Sequence, residues 1–102
     1  TLSNEEPSIP NRFYLHQNYP NPFNPMTVIN YDMQNDGQTT IEIMDVRGNY
    51  IRTLINDYVQ MGSKSINWDA TNDYGERVPA GIYFYTLRAN NYIQTQKMVL
   101  LK

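Results

Sequence analysis

Residues 26–46, MTVINYDMQNDGQTTIEIMDV, alternate apolar and polar side chains twice over. In the first run Ile29, Tyr31 and Met33 share one face, with Asn30 and Asp32 opposite. In the second, Ile41 and Ile43 oppose Glu42. A period of two belongs to a half-buried β-strand, not to a helix. Between the runs, Asn35-Asp36-Gly37 reads as a hairpin turn, because Asp-Gly supplies a positive-φ position.

The same signal recurs outward from this stretch. Arg47–Asn49 reads as a second turn, followed by a strand over 50–55. Gly62 opens another at 63–68, with Ile66 and Trp68 in phase. Residues 81–89, GIYFYTLRA, place Tyr83, Tyr85 and Leu87 on one face, Asn90-Asn91 turns the chain, and residues 92–101 close it. A seventh strand fits 13–16, FYLH. No segment carries a 3.6-residue apolar period. Many short strands with turns every ~8–12 residues predict an all-β, antiparallel β-sandwich of about seven strands. The expected core is Ile29, Tyr31, Ile41, Ile43, Leu54, Ile66, Trp68, Tyr83, Tyr85 and Leu87. The last strand is ambiguous: Met98 and Leu100 alternate with Val99 and Leu101, so it is either buried on both faces or exposed at its tip.

With 102 residues, 40% of them hydrophobic, the chain suffices for one domain. Its net charge of -2 argues against non-specific nucleic-acid binding, which needs a basic field. No apolar run approaches the ~20 residues of a membrane span. Cysteine is absent, which rules out disulfides and thiolate metal sites. Residues 1–11, TLSNEEPSIPN, are polar and carry Pro7 and Pro10, as the end of a linker would, leaving a domain over 12–102. The polar start shows no signal peptide. The chain is therefore expected to be a mature or excised piece, or one whose export is encoded elsewhere.

Residues 17–25, QNYPNPFNP, hold Pro20, Pro22 and Pro25 among three asparagines. Each proline removes a ladder donor and biases the preceding residue away from helix, so this is no central strand. A stiff segment over one end of the sandwich is expected. Tyr19 and Phe23 either lie down as a lid on the core or are presented to a partner as a proline-rich ligand.

Little here resembles a reaction centre. His16 is the single histidine, and it reads as a surface residue at a strand end. Asp69 and Asp73 form a conceivable acid–base pair, but Gly75 and Pro79 mark their loop as turn-making. Within DATNDYGE (69–76), the oxygens of Asp69, Asn72 and Asp73 are a candidate calcium set. The other reading is capping of turn backbone by Asp and Asn, which needs no ion. No other cofactor and no catalytic residue are predicted. Trp68, in phase with Ile66, is core rather than a sugar platform. Tyr50, Tyr58, Tyr74 and Tyr92 lie at turns or strand starts and are expected nearer the surface.

Four stretches, taken in order, carry a resemblance: QNYPNPFNPMTVINYDM, IEIMDVRGNYIRTL, WDATNDYGERVPAGIYFYTLRA and the closing QKMVLLK. Together they closely resemble type A C-terminal sorting domains of the type IX secretion system of Gram-negative bacteria. They are also similar to the immunoglobulin-like domain of flagellar hook-capping proteins. The resemblance spans roughly residues 14–102 and implies an immunoglobulin-like form of the sandwich. Asn18, Tyr19, Pro20, Asn21, Pro22, Phe23, Asn24 and Pro25 match the family's opening motif. Asp45 and Gly48 match its D-x-x-G turn. Trp68, Asp69, Asn72, Gly75, Gly81 and Tyr83 match the stretch that follows. Lys97, Met98, Val99, Leu100, Leu101 and Lys102 match its basic-apolar-basic close. Ala70 stands where the family usually has Gly, and Asn72 where it often has Asp.

The resemblance implies a non-catalytic address read by outer-membrane secretion proteins. It is attached behind a cargo domain, and the whole passes through the periplasm to the cell surface or the medium. Lys97–Lys102 are the expected recognition strand, open along one sheet edge to β-addition. Such an edge also favours weak self-association. The other readings are an accessory module of a secreted enzyme, binding carbohydrate or packing on its neighbour, and a structural repeat of a flagellar-type assembly.

Overall fold

The computed structural model of the chain describes residues 12–102. The expected linker at 1–11 lies outside the described residues. Seven strands follow one another: β1 (Tyr14–Leu15), β2 (Thr27–Met33), β3 (Gly37–Asp45), β4 (Tyr50–Val59), β5 (Gly62–Trp68), β6 (Gly81–Ala89) and β7 (Tyr92–Leu100). They form two antiparallel sheets, ordered β1-β2-β5 and β4-β3-β6-β7. No helix occurs among the described residues.

The alternation read from the sequence carries through to burial. Ile29, Tyr31, Met33, Ile41, Ile43, Trp68, Tyr83, Tyr85 and Leu87 point between the sheets and are buried. Leu54 and Ile66, expected in the core, are only partly buried and pack at its rim. The core also takes Phe13, Leu15, Phe23, Met98 and Leu100.

Two expectations fail, each for a physical reason. Asn35–Gly37 is not a hairpin turn: β2 and β3 belong to different sheets, and the link carries the chain from one layer to the other. Gly37 does not take a positive φ. It is needed for close approach, since a Cβ there would lie 2.7 Å from the Asn90 side-chain oxygen. The strand expected over 50–55 runs on to Val59. The added residues pair regularly with Gly37–Thr40, but Asn56, Asp57 and Tyr58 are exposed and leave no alternating apolar signal, while register shifts at Ile41/Glu42 and Ile43/Met44 disturb the phase of the first half of β4.

β7 is an edge strand. Its inward side chains Gln94 and Gln96 tie it to the opposite sheet. Gln94 Oε1 accepts the Leu15 N–H at 3.0 Å, and Gln96 Nε2 donates to the Leu15 carbonyl at 3.0 Å. These amides close the side of the sandwich where the N-terminal stretch meets the last strand.

Candidate functional site

In an antiparallel ladder, alternate residues turn their backbone groups toward the neighbouring strand and the rest turn them outward. On β7 the residues in phase with Lys97, Val99 and Leu101 turn away from β6. An edge of this kind ordinarily invites a further strand. Here the segment 17–24 occupies it.

Gln17 Nε2 donates to the Lys97 carbonyl at 2.7 Å, and Asn21 Oδ1 accepts the Val99 N–H at 3.0 Å. The Phe23 N–H donates to the Val99 carbonyl at 3.0 Å, and the Leu101 N–H donates to the Phe23 carbonyl at 2.8 Å. Asn24 Nδ2 reaches the Lys102 carbonyl at 2.8 Å. The side-chain amides of Gln17, Asn21 and Asn24 thus act as clamps. The prolines among them, all three preceded by cis bonds, offer no competing N–H of their own.

The clamp is anchored from within. The Tyr85 hydroxyl, on β6, accepts the Asn18 N–H at 2.7 Å and donates to the His16 carbonyl at 2.7 Å. Burial pushes its pKa well above the ordinary tyrosine value, opposed only by the Asn18 hydrogen bond. Buried Asn18 donates from Nδ2 to Thr27 Oγ1 at 2.9 Å and to the Pro20 carbonyl at 3.2 Å. Phe23 is 1% exposed and lies against Trp68, with ring centroids 5.7 Å apart. Trp68 in turn meets Tyr83 edge-on at 5.5 Å.

The other residues singled out from the sequence are distributed as follows. Phe23 is the lid that was expected, but Tyr19 is 77% exposed. Its backbone pairs with Val28 instead, through two hydrogen bonds of 2.9 Å. In the closing strand, Met98 and Leu100 are buried, Val99 is half-buried, and Lys97, Leu101 and Lys102 are exposed. The expectation of an open backbone edge over Lys97–Lys102 does not hold, because Lys97, Val99, Leu101 and Lys102 all give backbone groups to the clamp. Their outward side chains remain accessible.

Asp45 and Gly48 form the expected turn. Asp45 Oδ1 accepts the Arg47 and Asn49 N–H groups, each at 2.9 Å. The Asn49 bond leads in holding this carboxyl below the ordinary aspartate value. In the loop after Trp68, the indole N–H donates to the Thr71 carbonyl at 2.8 Å. Asn72 Oδ1 accepts the Tyr74 and Glu76 N–H groups, and Gly75 N–H closes on the Asn72 carbonyl. Asp73 takes the Tyr50 hydroxyl and the Thr53 N–H, while Asp69 faces Thr71 and Arg52. The three side chains considered for calcium are engaged in capping and pairing, which is the other reading the sequence offered for this loop.

Ala70 is buried with φ 65°. That is a left-handed conformation in which glycine is favoured. Gly81 has φ 152° with nothing within 4 Å of a notional Cβ, so backbone angle and not crowding requires it.

Sequence reasoning missed the His16–Asp32 pair, 3.0 Å apart across β1 and β2. It also missed the joining of the two diagnostic ends. The side-chain amides of Gln17, Asn21 and Asn24 among the prolines were the available signal, but nothing local specified which strand they grip.

The fold is that of an immunoglobulin-like β-sandwich. Dimeric latent PorU from Porphyromonas gingivalis matches it with a TM-score of 0.69 and 22% identity, over 83% of this chain and 9% of that one. PorZ, a surface component of the type IX secretion system of the same organism, matches with a TM-score of 0.59 and 18% identity, over 88% and 11%. The flagellar hook-capping protein FlgD from Xanthomonas campestris matches with a TM-score of 0.57 and 24% identity, over 74% and 55%. The chain thus spans only a small part of PorU and PorZ and about half of FlgD. A search of the curated proteins found no match. The family model of the secretion system C-terminal sorting domain matches residues 17–101, and the chain belongs to that family. The family is one of secretion-targeting domains, non-catalytic in general, whose carriers are exported to the cell surface or the extracellular space.

Proposed function

We propose that this domain is a folded address that directs an attached cargo, after its passage into the periplasm, to the outer-membrane type IX secretion machinery. It acts by binding and makes or breaks no bond. The observation that carries this reading is the set of five hydrogen bonds joining residues 17–24 to 97–102. The two segments most diagnostic of the family are each other's partners, and they leave the side chains of Tyr19, Lys97, Leu101 and Lys102 exposed. Because the backbone edge is already engaged, recognition falls to these side chains rather than to an added strand.

Deleting residues 97–102 would test this poorly, since it also strips buried Met98 and Leu100 from the core. The better experiment fuses a reporter ahead of residues 1–102 in a bacterium that has this machinery. Lys97→Glu and Lys102→Glu are then introduced together, with the melting temperature checked on the isolated domain. Export is expected to fall, with folded fusion protein accumulating in the periplasm. Undiminished export of the doubly reversed domain would refute the reading.

A further inference from the structure

At the end of the sandwich where the chain closes, three segments far apart in sequence border one cleft of about 350 Å³. Its walls are apolar: Pro25 from the opening motif, Val78 and Pro79 from the approach to β6, and Leu100 and Leu101 from the closing strand. Arg77 and Lys102 stand at its border, and no aspartate or glutamate lines it. Among the described residues neither cation has an ion pair; the pairs present are His16–Asp32 and Arg52–Asp69.

The walls are fixed before anything binds. Val78 N–H donates to the Ala70 carbonyl at 2.9 Å, the Tyr83 hydroxyl holds the Pro79 carbonyl, and Asn24 holds Lys102. A preformed site spends little free energy on ordering. Its volume is at the small end of ligand clefts, which run about 300–1,000 Å³, and suits one or two side chains. An apolar floor under unpaired cations complements a greasy group carrying an adjacent negative charge. Two cations on a chain of net charge -2 do not make a surface for a polyanion.

We propose that this cleft receives an aliphatic side chain flanked by carboxylates, from an extended segment of a protein of the secretion machinery. The proposal rests on the sorting reading above and adds the chemistry of what docks. The aliphatic group sits between Pro25, Val78 and Leu101. The flanking carboxylates meet Arg77 and Lys102 in charge-assisted contacts at the rim.

The test is an amide chemical-shift titration of the 1–102 chain with a blocked heptapeptide, one leucine between two glutamates in a glycine–serine background. Saturable shifts are expected at Val78, Ala80 and Leu101 and not on the outer faces of the sheets. Arg77→Glu, exposed and without an ion pair, leaves the fold intact and is expected to weaken binding about tenfold, the loss of one charge-assisted contact. Exchanging the peptide's glutamates for lysines, or its leucine for serine, is expected to cost at least as much. Absence of saturable shifts, or equal binding of the lysine peptide, overturns the proposal. An Arg77→Glu domain that loses the peptide yet exports its reporter at the unaltered level also overturns it, and leaves the sorting reading standing. An unaltered domain that binds the peptide but carries no reporter out overturns the sorting reading instead.

Discussion

Replacing Tyr85 by phenylalanine removes one oxygen and leaves a fully buried ring in place, so no cavity opens. What is lost is the anchor of the clamp. The Asn18 N–H, in a residue 2% exposed, loses its acceptor. An orphaned buried donor costs about 1–3 kcal/mol. The bond to the His16 carbonyl is worth about 0.5–1.5 kcal/mol, part of which water restores at that half-exposed residue. The sum is about 2.5 kcal/mol. For a domain of this size it lowers the melting temperature by roughly 10–20 °C. In urea the midpoint falls by about 1–2 M at unchanged m.

Two further readouts separate this account from a generic loss. Amide exchange at Val99 and Leu101, which bond to the clamp, should accelerate more than at Met98, which faces β6. The pH dependence has a definite sign. A tyrosine whose folded pKa is raised contributes stability that is complete below about pH 10 and is lost as pH rises toward the folded value. The gap between the unaltered protein and Tyr85→Phe should therefore close above pH 10, by about 1.4 kcal/mol per pH unit. A loss below about 0.5 kcal/mol at pH 7, within the range of an ordinary surface change, or a gap constant from pH 7 to 11, would refute the reasoning.

Gly81→Ala should cost about 1–3 kcal/mol through backbone strain alone, and calorimetry showing no loss would mean the angle relaxes freely. Asn21→Ala removes the acceptor of the Val99 N–H and should cost about 1 kcal/mol, with faster exchange at Val99 and little change at Met98. The folded pKa of Asp45 is depressed, so its contribution is present above the ordinary aspartate value and is lost as pH falls through the folded one. The stability deficit of Asp45→Asn should accordingly be constant from neutral pH down to about pH 4 and shrink below it, as read from melting temperature against pH.

The strands were legible because burial on one face imposes a period of two, which β2, β3, β5 and β7 keep from end to end and β6 breaks only at buried Thr86. The end of β4 was missed because Asn56, Asp57 and Tyr58 are all exposed, so no buried apolar face marks them, although they pair with β3 in regular register. The Asp36-Gly37 pair misled for a different reason: a glycine needed for contact with Asn90 has the same letter as one needed for a turn. Of the candidate site, the two segments were visible as motifs, but their union was not. Phe23 and Tyr19 look equivalent in the sequence, and only the placement of Trp68 behind one of them decides which is buried. Hydrogen bonds spanning about eighty positions leave no local trace, because an asparagine that clamps a distant carbonyl reads like one that caps a turn.

Uniting the opening motif with the closing strand makes completeness at one terminus detectable at the other. A polypeptide clipped before Lys97 keeps every proline and asparagine near its start but leaves those amides nothing to grip, and Phe23 loses the backbone that seats it. Molecules that stop short of Lys97, or are nicked just before it, would then lack the joined surface that the proposed sorting role requires.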